Sequence, residues 1–196
     1  MMKIIQTIGV AFVILLLSAC ESNFQPKPRG YIRIQLPKQS YQHLDLKGYP
    51  YTFEFSKYAK PVLPGRNPEK YWINIYYPNF KAQIHLSYKS VNNNLDILLN
   101  DVHSMVNKHI PKANAINEQM YVDENKRVFG MAYEIKGSEA ASPYQFYVTD
   151  STTHFLRGAL YFNFSPNNDS LKPVIKYLQS DIQQLIESLQ WVEHKE

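Results

Sequence analysis

Phe155-Leu156-Arg157-Gly158-Ala159-Leu160-Tyr161-Phe162-Asn163-Phe164 is the strongest strand signal in the chain. Leu156, Leu160, Phe162 and Phe164 fall on one face at a period of two, and Phe155, Arg157, Tyr161 and Asn163 fall on the other. Gly158 sits inside the run, where a bulge or a close packing contact is expected. Just upstream, Asp150-Ser151-Thr152-Thr153-His154 reads as a hairpin turn leading back to a strand over Tyr144–Thr149. Downstream, a closing helix starts near Ser170, with Pro173 in a first turn that does not need its missing donor. Its apolar stripe is Leu171, Val174, Ile175, Leu178, Ile182, Leu185, Ile186 and Leu189, while Lys176, Gln179, Gln183 and Glu187 face water. Trp191 is expected to anchor its end.

Upstream, strands are expected over 31–36 and 51–55, where Tyr51, Phe53 and Phe55 alternate with Thr52 and Glu54. Residues 61–68 are rich in Pro and Gly and read as a loop. Segments 71–77 and 82–89 form a hairpin around Pro78-Asn79, with Ile84, Leu86 and Tyr88 on one face and Gln83, His85 and Ser87 on the other. Asn92, Asn93 and Asn94 then offer an N-cap to a helix carrying Leu95, Leu98, Leu99, Val102, Met105 and Val106, which Pro111 ends. Another strand follows over 128–135. Strands, helix, strands, helix is the order of an α+β domain, an antiparallel β-sheet covered by two main helices.

The N-terminus adds a different kind of information. Lys3, a mostly apolar run over 4–17 and the exit Leu17-Ser18-Ala19-Cys20 have the charged, apolar and small-residue zones of a secretory signal. The exit looks like the bacterial lipobox, with cleavage between Ala19 and Cys20 and lipid on the Cys20 sulfur. An ordinary signal peptide with a chance cysteine, or a short membrane anchor, are the competing readings. Cys20 is the single cysteine of the 196 residues, so a disulfide has no second member. Residues 1–19 are therefore expected to be a lipoprotein signal peptide, 20–30 a lipid anchor and Pro-rich tether, and 31–196 a single domain held near a bilayer.

Composition narrows the function. The net charge is +4 without any lysine- or arginine-rich block, which makes nucleic acid a poor partner. Fifteen tyrosines and ten phenylalanines suit a β-rich body. The six histidines form no metal pattern, and no paired cysteines, phosphate loop or nucleophile elbow is present. Asp150, Ser151 and His154 lie within one tight turn, whereas triads assemble from separated segments; a turn capping itself is the better reading. His85 reads as a satisfied sheet residue. No catalytic residue, cofactor or small-molecule substrate is expected.

Long stretches point to a family. Pro26-Lys27-Pro28-Arg29-Gly30-Tyr31, Tyr71-Trp72-Ile73-Asn74-Ile75 and Asn92-Asn93-Asn94-Leu95 carry the resemblance, with Gln145-Phe146-Tyr147-Val148-Thr149-Asp150-Ser151 and His154-Phe155-Leu156-Arg157-Gly158-Ala159-Leu160-Tyr161-Phe162 its densest parts. The chain resembles the gliding-motility lipoprotein GldD family of the Bacteroidota. That resemblance implies an envelope lipoprotein needed for gliding and linked to assembly or stability of the type IX secretion machinery. It implies as partners a membrane, through the N-terminal lipid, and other gliding or secretion proteins of the envelope, with the domain facing the periplasm. It carries no catalytic residues. The layout after Tyr144 is also similar to PsbP/Mog1-like domains. A peptidoglycan- or polysaccharide-binding lipoprotein is the second reading, because exposed aromatics stack on sugars. Asp150, His154, Phe155, Arg157 and Tyr161 are the candidate partner-binding residues, read as one exposed surface of aromatic rings and a guanidinium.

Overall fold

The computed structural model describes residues 34–65, 69–164 and 167–192. The signal peptide, Cys20 and the tether lie outside the described residues, as does the start of the strand expected over 31–36. Its remaining part, 34–36, is not in a strand.

The frame is one antiparallel sheet of seven strands. In chain order the strands are β1 (Tyr41–His43), β2 (Tyr51–Thr52), β3 (Glu54–Ser56), β4 (Lys60–Val62), β5 (Ile73–Tyr77), β6 (Ala82–Ser90), β7 (Ala115–Asp123), β8 (Val128–Lys136), β9 (Tyr144–Thr149), β10 (His154–Phe162) and β11 (Gln190–Trp191). The sheet order is β4-β5-β6-β10-β9-β8-β7, and β1–β3 and β11–β2 form two small ladders beside it. The opening stretch is thus a central strand. It pairs with β6 from His154↔Ser90 to Phe162↔Ala82, and with β9 on its other side. The register runs through Gly158 without a bulge, so close packing is what the glycine serves.

Two helices cover opposite faces, as side-chain alternation requires. Helix α2 (Asn168–Ser188) lays Val174, Leu178, Ile182, Leu185 and Ile186 against the face carrying Ile84, Leu86, Phe146, Leu156 and Leu160. Helix α1 (Leu95–Asn107) puts Val102 and Val106 over Tyr133 and Phe155 on the other face. Tyr51, Phe53 and Phe55 alternate inward as expected, although the chain leaves strand geometry at Phe53. Neither α1 nor α2 is long and apolar enough to cross a membrane.

Several expectations are corrected. Lys60–Val62, expected within or beside a loop, is a short edge strand, a place where Pro61 removes no interior ladder bond. β7 was not foreseen: its mostly exposed residues hide the period of two that burial imposes elsewhere. The central strand stops at Phe162, which leaves Phe164 exposed. Asn94 stands at the N-cap position of α1, but its side chain accepts from the Asn92 N–H at 2.7 Å and not from the helix. Asn167 caps α2, so Pro173 lies inside the helix, beyond its first turn.

Candidate functional site

The turn Asp150–His154 is built around one carboxylate. Asp150 Oδ1 accepts from the backbone N–H of Thr152 at 3.0 Å, Thr153 at 2.8 Å and His154 at 2.8 Å. Its Oδ2 accepts from the Thr152 hydroxyl at 3.0 Å. Burial alone would push this carboxyl up, but the donated hydrogen bonds outweigh it and hold the group below the usual carboxylate range. Ser151 takes a left-handed backbone at φ 69°, and its N–H donates to the Thr149 hydroxyl. The self-capping reading of the turn is therefore the structural one. Asp150 is 5% exposed, and its oxygens are committed to the turn.

His154 begins β10 on the α2 side of the sheet. Its Nδ1 lies 2.8 Å from the Tyr88 hydroxyl, and its ring stacks on Trp191 with centroids 5.0 Å apart. Trp191 in turn donates from Nε1 to the Arg127 carbonyl at 3.0 Å. Tyr71, Tyr88, Arg127, Asp150, His154 and Trp191 are among the residues lining a cavity of about 680 Å³ here.

One residue further along the strand the side chains cross to the other face. Phe155 was expected to point outward, but it is 3% exposed, stacked on Tyr147 beneath α1. Arg157 and Tyr161 remain half-buried on that face. The five candidate residues thus do not make one surface. Asp150 and His154 belong with the cavity, Phe155 with the core under α1, and Arg157 with Tyr161 in a polar row.

That row contains residues the partner-surface reading missed. Arg157 Nη2 donates to Gln145 Oε1 at 2.8 Å, and Gln145 Nε2 lies 2.9 Å from His109 Nε2. His109 follows α1 and is brought over the sheet by the chain's turn into Ile110–Lys112. On the neighbouring strand His85 meets the Tyr161 ring edge-on at 5.3 Å. Burial first, and the Arg157 charge second, lower the pKa of both His85 and His109. Gln145, 1% exposed in an otherwise apolar strand, was the available signal that a polar partner lies across from it.

A second buried polar group sits under α2. Asp181, 2% exposed, accepts from Gln39 Nε2 at 3.3 Å and is faced by the hydroxyls of Tyr41, Tyr77 and Ser56. Burial dominates and raises its pKa. Among the described residues, no group of three or more His, Cys, Asp or Glu could hold a metal ion.

A model of the gliding motility lipoprotein GldD family matches residues 21–191. The chain belongs to that family. Family membership covers nearly all of the described domain and makes it a gliding motility lipoprotein of the cell envelope. No curated protein matches the chain. Among solved structures, the cyanobacterial PsbP (CyanoP) of Synechocystis sp. PCC 6803 is similar over 82% of this chain and 98% of its own, at 7% identity and a TM-score of 0.49.

Proposed function

We propose that this protein is a non-enzymatic, lipid-anchored part of the gliding apparatus, facing the periplasm and linked to assembly or stability of the type IX secretion machinery. Family membership over residues 21–191 supports the motility role. Against an enzyme, the observation with most weight is Asp150. The acid of the Asp150, Ser151 and His154 trio spends its oxygens on three backbone N–H groups and one hydroxyl of its own turn. It is not placed to orient an imidazole toward a nucleophile. In this reading the domain acts by contact, and the half-exposed Arg157 and Tyr161 are where a partner meets it.

Deletion of the gene in its own organism, followed by complementation, tests this. Wild-type protein, Ser151→Ala and His103→Ala should each restore gliding and secretion of type IX substrates. Cys20→Ser should restore neither, because the domain loses its lipid anchor. Loss of gliding with folded, abundant Ser151→Ala would return the enzyme reading. Normal secretion in the deletion strain would break the link to the secretion machinery.

The glycan reading keeps one supporting observation, the aromatic cavity beside Trp191 and His154. Retention of the purified protein on peptidoglycan sacculi, lost in Trp191→Ala, would favour it. Indifference to sacculi would remove it.

A further inference from the structure

Arg157 is a guanidinium that, among the described residues, has no carboxylate paired to it. It projects from the middle of the central strand, its Nε is buried with no hydrogen-bond partner, and its side-chain partners, the Gln145 amide and the Tyr161 hydroxyl, are both neutral groups. Among the described residues it enters no salt bridge. Partly burying a guanidinium without an anion is unfavourable, so a fold that keeps one so placed leaves room for an external partner. The surroundings add to this. Ala159, fully buried, pairs with His85 on one side and Gln145 on the other, while Arg157 and Tyr161 flank it along β10. His109 reaches the same spot through Gln145. These groups around Ala159 are all basic or neutral.

We propose that the half-exposed patch of Arg157, Tyr161, His85 and His109, set over the buried Gln145, is the docking site for a carboxylate side chain on an acidic segment of a partner protein. It rests on the contact role proposed above and names the chemistry of that contact. Charge complementarity selects the occupant: a planar guanidinium with only neutral partners of its own matches a carboxylate. Its single permanent charge balances a monoanion. A phosphate dianion would want a second positive charge, and the two imidazoles are held neutral by burial and by Arg157 itself.

Titration of the full-length protein in detergent micelles tests the site. Three probes are compared by NMR at constant ionic strength: the peptide Ac-Gly-Glu-Gly-amide, its Gln counterpart and inorganic phosphate. The Glu peptide should give saturable shifts of the Gln145 side-chain amide and the His85 and His109 rings. The Gln peptide should give none, and phosphate should bind more weakly. In Arg157→Gln the Glu-peptide affinity should drop at least about tenfold, the scale of one lost charge-assisted contact. Equal response to Glu and Gln peptides, or none to either, overturns the proposal. Tighter binding of phosphate overturns the carboxylate assignment. If Arg157→Gln does not fold, the Glu–Gln comparison on wild-type protein decides alone. Because binding is read on purified protein, its failure leaves the motility reading standing.

Discussion

The Phe146 ring occupies the place where a β-carbon on Gly158 would have to stand. The two residues are register partners on β9 and β10, both facing α2. Glycine is thus required at the centre of the main core by a neighbour's volume, with no demand on backbone conformation. Gly158→Ala should destabilise by about 1–3 kcal/mol or more, the range for overpacking a dense core. Adding Phe146→Leu should recover part of that loss, because the two changes share one space and are not additive. Urea unfolding of the two single variants and the double variant measures both effects. A neutral Gly158→Ala would contradict the packing.

Leu160 lies two positions along the same face and is fully buried, and its truncation to Ala should cost about 2–5 kcal/mol. Phe162, on the same face, is only half-buried, so Phe162→Ala should cost clearly less than the roughly 3–5 kcal/mol of a fully buried phenylalanine. Thermal denaturation that ranks Phe162→Ala above Leu160→Ala would overturn this assignment of burial.

What could be read in the chain and what could not divides by burial. Tyr51, Phe53 and Phe55, the face of Ile84, Leu86 and Tyr88, and the stripe of α2 were legible because one side of each element is excluded from water. Strand β7 was not, since most of its side chains are exposed and nothing imposes a period on them. The candidate surface failed for a different reason. Adjacent strand residues alternate faces, so His154 and Phe155 cannot share one, and the cover that α1 puts over Phe155 depends on a long-range contact no local pattern reveals. Gln145 and Asp181 were visible anomalies, each a polar residue on an apolar face. What they pair with is set by strand order.

His85 and His109 should make stability fall in mild acid. Each has its pKa lowered in the fold, so each resists protonation there more than in the unfolded chain. Their contribution is fully present above the unfolded value near 6.5 and is lost as pH falls below it. His85 is faced by Arg157 and Tyr161 from β10 and by Asn74 from β5; His109 is faced by Gln145 and Arg157. Unfolding free energies between about pH 7.5 and 5 should decline with falling pH, and His85→Gln should flatten the slope. An unchanged slope in that variant would show that His85 does not carry the effect.

Asp181 should act in the opposite sense. Burial raises its pKa, so above the ordinary value of 3.8 the charged carboxylate weighs against the folded state. Asp181→Asn keeps the shape and the contact with Gln39 without the charge. It should be more stable than wild type at pH 7, with the difference vanishing below about pH 3.5, where both chains are neutral at this position. Destabilisation by Asp181→Asn at pH 7 would mean that the hydroxyls of Tyr41, Tyr77 and Ser56 hold the anion better than burial penalises it.

The proposed role of this domain is to serve the envelope machinery by contact and not by catalysis. Its most direct test is the amount and size of the assembled type IX secretion complex, measured by native electrophoresis of solubilised envelopes with and without this protein. The complex should be lost or markedly reduced in the deletion strain and should return with the lipidated wild-type chain. A complex of full size and normal amount in cells that nevertheless cannot glide would contradict it.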